Sequence, residues 1–184
     1  MVKVVVVEYG RESTVNICNC LEIIGVNYIV VRHDMDDLLD HYIPTHVILS
    51  GGEDHVHCTI HSKLPDWLIH YKFKVLGICY GMQLISQLFG AKIEHMKELE
   101  KGPVAVTELF DSGNFVYDIQ KTTSRWMNRY DKVIDIPDNL MVTGISDNGS
   151  VAAITDNNRW WGVQYHPEHP EYRDIDVFIR FLRR

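Results

Sequence analysis

Through its first half the chain alternates two periodicities of apolar and polar positions. Residues 2–7 (VKVVVV) form a β-branched run. Beyond Gly10, the residues Val15, Cys18, Leu21 and Ile24 recur at helical spacing until Gly25 ends the segment 13–24. A second run covers 27–32, an acidic stretch at 34–40 has the length of a short solvated helix, and a third run, 45–50, breaks at Gly51 and Gly52. Pro65 suits the first turn of a helix over 66–71, which leads into an apolar strand, 73–78, and a helical segment, 82–89, stopped by Gly90. Strands that are apolar throughout and joined by helices imply a parallel sheet covered on both faces, with right-handed crossovers. From 91 to 161 the pattern changes to short strand-like runs at 104–109, 114–119, 132–136, 140–144 and 151–155, separated by turn signals such as Asp147-Asn148-Gly149. A last strand, 160–165, precedes a terminal helix, 172–182, with Ile175, Phe178, Ile179 and Leu182 on one stripe. The expected fold is α/β: a mostly parallel open sheet flanked by helices, with a β-rich insertion in the second half, residues 1–184 forming a single domain.

Composition narrows the function. The 46% hydrophobic and 23% charged fractions are those of a globular protein, and no apolar run approaches the roughly 18–20 residues of a membrane helix. The opening run is too short for a signal peptide, which makes the cytoplasm the expected location. A net charge of −7, without a basic cluster, argues against a nucleic-acid surface. Of the four cysteines, none stands in a Cys-x-x-Cys pair, so neither a zinc ribbon nor a disulfide framework is indicated.

That leaves a cysteine free to act as a nucleophile. Cys79 falls where strand 73–78 must turn into a helix, with Gly77 and Gly81 two residues to either side. This is the nucleophile-elbow pattern with sulfur for oxygen. The turn strains the backbone, glycines permit the close approach, and the helix N-terminus favours negative charge on the sulfur. The alternative is a small buried cysteine filling a tight turn. A base decides between them. His166 directly follows strand 160–165, so it emerges at a carboxyl end of the sheet, with Glu168 two residues on to orient it. Gly51 and Gly52, ending strand 45–50, suit an oxyanion site, or a simple turn.

Together "ILSGGE", "LGICYGMQLI" and "WGVQYHPE" resemble, in order and spacing, the three signatures of the class I (triad-type) glutamine amidotransferase domain, over nearly the whole chain. Within that family they look most like the glutamine-hydrolysing domain of GMP synthetase. The resemblance implies a flavodoxin-like core and hydrolysis of L-glutamine through a γ-glutamyl thioester. It also implies a nucleophile Cys79, an acid and base His166, and an orienting Glu168. Gly52 and Tyr80 would donate N–H groups to the oxyanion, Gly51 would stand beside them, and Gln83 would help hold the substrate. It calls for no cofactor or metal. Ammonia would pass to an ATP-pyrophosphatase (synthetase) subunit on a separate chain, since no phosphate-binding P-loop occurs here. Other acceptors in the family are those of anthranilate, carbamoyl phosphate and CTP synthesis; a γ-glutamyl hydrolase and a non-catalytic regulatory module are further alternatives.

Three positions depart from the pattern usual in GMP synthetases. Glu8-Tyr9-Gly10-Arg11-Glu12 replaces Asp-x-Gly-x-Gln, Glu53 follows the glycine pair in place of proline, and Asn128-Arg129-Tyr130-Asp131 replaces Ser-His-x-Asp, so that Arg129 stands for a histidine. Asp54, His55, His57, Cys58 and His61 crowd one loop with metal-type ligands, yet without a structural-zinc spacing they read as a polar loop. Trp67, Trp126, Trp160 and Trp161 read as packing residues. His-Pro-Glu is written twice, and the second copy, with Pro170 and Glu171, suits the first turn of the terminal helix.

Overall fold

A computed structural model of the chain describes residues 2–35, 37–53, 64–109 and 121–184. The strands are β1 (Val4–Tyr9), β2 (Tyr28–Arg32), β3 (His46–Gly52), β4 (Lys74–Ile78), β5 (Lys92–Glu108), β6 (Thr122–Ile134), β7 (Met141–Ser146), β8 (Val151–Thr155) and β9 (Trp160–Val163). The helices are α1 (Arg11–Ile24), α2 (Leu38–His41), α3 (Asp66–His70), α4 (Tyr80–Leu88) and α5 (Ile175–Leu182). Among the described residues the strands make one sheet, ordered β2-β1-β3-β4-β9-β8-β7-β5-β6. From β2 to β9 every pairing is parallel, and from β9 to β6 every pairing is antiparallel.

The apolar runs are continuous because both faces of the parallel half are covered. In β1, Val4 and Val6 pack with Ile17 and Leu21 of α1 and with Phe178 and Phe181 of α5. Val5 and Val7 pack on the opposite face with Trp67 of α3 and with Leu84 and Ile85 of α4. Phe178 and Phe181 are fully buried, and truncating either to alanine costs about 3–5 kcal/mol. No helix among the described residues is long and apolar enough to cross a membrane.

Four differences from the sequence expectation matter. Strand β3 continues through Gly51 and Gly52, because after a register irregularity Gly52 still pairs with Tyr9. Helix α4 begins at Tyr80, directly after Cys79, two residues earlier than its apolar spacing implies. The runs at 104–109 and 132–136 are the ends of two long strands that pair with each other, β5 and β6. The terminal helix starts only at Ile175, where the Asp174 side chain accepts a hydrogen bond from the Asp176 N–H. Pro170 and Glu171 therefore do not begin it. The second His-Pro-Glu copy lies in turns closed by His169 N–H to His166 O and Tyr172 N–H to His169 O, both 3.1 Å. The expected strand 114–119 and the loop bearing His55, His57 and His61 lie outside the described residues.

Candidate active site

Cys79 joins β4 to α4 with φ 50° and ψ −103°, a conformation that a residue with a Cβ holds only under strain. The turn closes on glycines. A Cβ on Gly77 would lie 2.5 Å from Gly81 backbone atoms, and one on Gly81 would lie 2.6 Å from the Leu49 carbonyl oxygen. The Cys79 N–H donates to the Val163 carbonyl at 2.7 Å, which fixes the elbow to β9. Its sulfur, in a residue only 4% exposed, accepts from Gln164 Nε2 at 3.4 Å and donates toward the Asn128 carbonyl at 3.7 Å.

His166 leaves the end of β9 and is held from two sides. Its N–H donates to the Trp126 carbonyl of β6 at 2.9 Å, and its Nδ1 lies 2.8 Å from Glu168 Oε1. Burial opposes a charge on this ring. The Glu168 carboxylate and then the Cys79 sulfur outweigh that opposition and hold His166 well above the usual imidazole range. Glu168, 1% exposed, is itself held: Ser13 Oγ donates to the same Oε1 at 2.6 Å and accepts from the Gly51 N–H at 2.9 Å. A continuous line of hydrogen bonds thus runs from Gly51 through Ser13 and Glu168 to His166. A Cβ on Gly51 would lie 2.9 Å from His166 Cε1, so only glycine lets the imidazole approach.

Behind this line sits a charged knot. Arg125 of β6 donates through Nη1 to Asp174 and through Nη2 to Glu108 at 3.3 Å, and its guanidinium lies 4.9 Å from the ring centre of Tyr165. It ties β6, β5 and the start of α5 together behind the residue that precedes His166. Burial pushes the Glu108 carboxyl up to about 7 against the pull of Arg125.

Two adjoining cavities flank the site, of about 280 and 270 Å³. The first is lined by Ser13, His166 and Glu168, and also by Trp126 and His169. The second is lined by Cys79, Tyr80 and Gln83 together with Leu99 and residues 128–131 of β6. Gly52, Glu53 and Asn128 border both.

The structure gathers every site residue expected from sequence: Gly51, Gly52, Cys79, Tyr80, Gln83, His166 and Glu168. Two are engaged differently than expected. The Gly51 N–H is taken by Ser13, and of the two glycines only Gly52 borders the cavity that holds Cys79. Gln83 Nε2 donates to the Asp131 carbonyl at 3.3 Å and to Gln164 Oε1 at 3.4 Å, so its amide braces the cavity wall. Of the four tryptophans, Trp67, Trp160 and Trp161 are buried packing residues, as read. Trp126 instead lines a cavity, with His169 stacked on it at 4.1 Å. Ser13 and Gln164 carry no role in the sequence reading, and Asn128 enters it only as part of the segment that departs from the usual Ser-His-x-Asp. A serine two residues into a helix carries no local signal of a carboxylate 155 positions away.

The sequence model of class-I glutamine amidotransferase matches residues 5–181. The chain belongs to this family. This amidotransferase chain is 33% identical, over 185 residues, to the glutamine-hydrolysing GMP synthase of Staphylococcus epidermidis, covering 98% of the chain and 36% of that protein. It is 37% identical, over 142 residues, to the corresponding synthase of Thermotoga petrophila, covering 76% of the chain and 28% of that protein. It therefore spans about a third of the length of these relatives. A Thermoplasma acidophilum crystal structure assigned to a GMP synthase subunit superimposes with a TM-score of 0.85 at 25% identity, covering 99% of this chain and 92% of that one. A glutamine amidotransferase from Thermotoga maritima shares the fold, with a TM-score of 0.72 at 16% identity over 99% of this chain and 81% of its own. The α/β sheet with its helical layers is that of the class I amidotransferases.

Proposed function

We propose that residues 1–184 act as one glutaminase domain that hydrolyses the side-chain amide of L-glutamine and supplies ammonia to a cytoplasmic synthetase subunit on another chain, for the synthesis of GMP from XMP. The observation that carries this reading is the strained Cys79 elbow beside an imidazole held by Glu168, Ser13 and Gly51. With its proton resting on His166, the Cys79 sulfur attacks the amide carbon of glutamine. The Gly52 and Tyr80 N–H groups take the negative charge that develops on oxygen. His166 then protonates the amide nitrogen, the C–N bond breaks, and ammonia leaves a γ-glutamyl thioester. Water loses a proton to His166 and attacks that thioester; the C–S bond breaks, glutamate departs, and Cys79 and His166 regain the starting proton. Glu168 stabilises the imidazolium at both stages.

GMP is the favoured end product because the curated relatives are GMP synthases. The test is ammonia release from glutamine, with and without an ATP-pyrophosphatase subunit, ATP and XMP. Cys79-dependent glutaminase activity coupled to GMP formation is expected. Ammonia release that persists in Cys79→Ala protein overturns the mechanism. Stimulation only by an anthranilate, carbamoyl phosphate or CTP synthesis partner overturns the acceptor.

A further inference from the structure

Gln164 stands just past β9, two residues before His166, and has no part in the chemistry above. It is completely shielded from solvent, and its main-chain N–H donates to the Ala152 carbonyl of β8 at 2.9 Å. A buried side-chain amide is costly unless its oxygen and its nitrogen both find partners. Here Oε1 accepts from Gln83 Nε2 at 3.4 Å, and Nε2 donates to the Cys79 sulfur at 3.4 Å.

The orientation of this amide is set from behind. Gln83 stands in the first turn of α4, where its N–H donates to the Cys79 carbonyl at 3.1 Å. Its Nε2 also donates to the Asp131 carbonyl at 3.3 Å, so both of its side-chain donors are spent. Turning the Gln164 amide over would set one NH2 group against another. The Gln164 oxygen therefore faces Gln83, and its donor faces the sulfur.

The sulfur thus meets two opposed partners. The Asn128 carbonyl, at 3.7 Å, accepts from a thiol and has nothing to offer a thiolate. The Gln164 donor does the reverse, because a neutral thiol is a weak acceptor whereas an anion draws a charge-assisted bond. The thiolate is the form that attacks, and it is the leaving group when the thioester breaks.

We propose that Gln164 is a further catalytic residue: its Nε2 donor meets the negative charge on the Cys79 sulfur before attack, and meets it again as the C–S bond breaks and the electron pair returns to sulfur. Its part in turnover rests on the glutaminase reading, while its effect on the sulfur is measured without glutamine.

The experiment compares wild type with Gln164→Met, of similar length and without a donor, and with Gln164→Glu, which keeps the oxygen that Gln83 needs. Cys79 is alkylated with iodoacetamide from about pH 5 to about pH 10, and the Cys79 peptide alone is followed by mass spectrometry. The titratable neighbours of the sulfur are His166 across the site and Glu53, Tyr80, Arg129, Tyr130 and Asp131 on its cavity. They are the same in every variant, so a displaced profile belongs to the amide. A charge-assisted hydrogen bond lost from the anion corresponds to about 10- to 100-fold in thiolate population, offset in part because a more basic sulfur is the stronger nucleophile. In Gln164→Met the rate at about pH 7 is expected to fall about 3- to 10-fold. Its profile moves to higher pH, and its plateau at high pH equals or exceeds that of wild type. Gln164→Glu falls further, in alkylation and in kcat/KM for glutamine, because a carboxylate there repels the charge on sulfur and a carboxylic acid returns it a proton. An unmoved profile, or a loss by the same factor at every pH, overturns the proposal. So does near wild-type behaviour of Gln164→Glu beside a damaged Gln164→Met, which would mark a brace for Gln83 and nothing more. Should one variant fail to fold, the profile of the other decides. Absence of ammonia release by wild type, with a displaced profile in the variants, defeats the glutaminase reading alone; ammonia release by wild type with undisplaced profiles defeats the proposal alone.

Discussion

The two halves of the sheet serve the site in different ways. In the parallel half, side chains and N–H groups are delivered from strand ends: Gly51 and Gly52 from β3, Cys79 from β4, His166 just beyond β9. In the antiparallel half, β6 lies alongside the site and offers main-chain carbonyls, those of Trp126 to His166, Asn128 to Cys79 and Asp131 to Gln83. Its inward row carries Arg125, Arg129 and Asp131, all buried. The candidate residues of the parallel half thus sit on short tight turns, which need only local geometry. The cavity wall formed by β6 depends instead on contacts far along the chain. The two sets of residues can therefore vary separately, and Arg129 lies in the second half, away from the elbow of the first.

The sharpest way to break this comparison is at the doubled His-Pro-Glu. His166→Ala is expected to lower glutamine turnover by about 10³-fold or more. His169→Ala, which removes ring contacts to Trp126 and Tyr172, is expected to cost less than about tenfold. Steady-state ammonia release checks both, and the reverse order would refute the assignment.

A glycine pair tests the contrast in stability. Gly77→Ala drives a Cβ into Gly81 backbone and is expected to cost more than about 3 kcal/mol, or to prevent folding. Gly102→Ala in β5 meets nothing within 4 Å and bears only the strain of φ 131°, about 1–2 kcal/mol. Denaturant melts compare the two, and equal losses would deny that the parallel half is the more tightly determined.

Ser13→Ala leaves the Gly51 N–H and one approach to Glu168 unpaired. The loss of about 1–3 kcal/mol should appear as a fall of about 10- to 100-fold in kcat with KM for glutamine nearly unchanged. A change confined to KM would move Ser13 from the catalytic line to the substrate wall.

The smallest effect concerns Glu108. Its folded-state pKa of about 7 is raised above the ordinary carboxyl value of 4.5, so the folded protein holds this proton more firmly than the unfolded chain. That contribution to stability is full below pH 4.5 and is lost as pH rises through about 7; it amounts to at most about 3 kcal/mol. Glu108→Gln should flatten the fall in Tm between pH 5 and pH 8 relative to wild type. Parallel pH profiles of Tm would show that Arg125 keeps the carboxylate charged throughout.

What could be read from the chain follows the same division. The apolar runs of β1, β3 and β4 are legible because burial on both faces writes itself as near-continuous Val, Ile and Leu, and the three motifs stand out at the ends of β3, β4 and β9. Strand β6 also alternates with a period of two, but its buried positions include Arg125, Arg129 and Asp131. An apolar-in, polar-out rule reads such a strand as surface. Those charges are tolerable because Glu108, Asp174, Glu100 and His95 meet them from elsewhere in the chain, and no local pattern announces such partners. The start of α5 was misplaced for a related reason. Pro170 and Glu171 fit a first turn by composition, while Asp174, capping from three residues later, decides it.

Strand β6 is the last strand of the sheet among the described residues. An outermost strand ordinarily leaves main-chain groups open to pairing with another molecule, and proteins guard against that with charge, proline or a covering loop. Here part of that guard is the candidate site itself: the Trp126 and Asn128 carbonyls are occupied by His166 and Cys79. Any local opening that peels β6 away unlatches the histidine and the sulfur in the same motion that bares a strand for aggregation. Loss of activity and onset of self-association should then share one opening equilibrium, and a ligand that bridges Cys79 and β6 would suppress both.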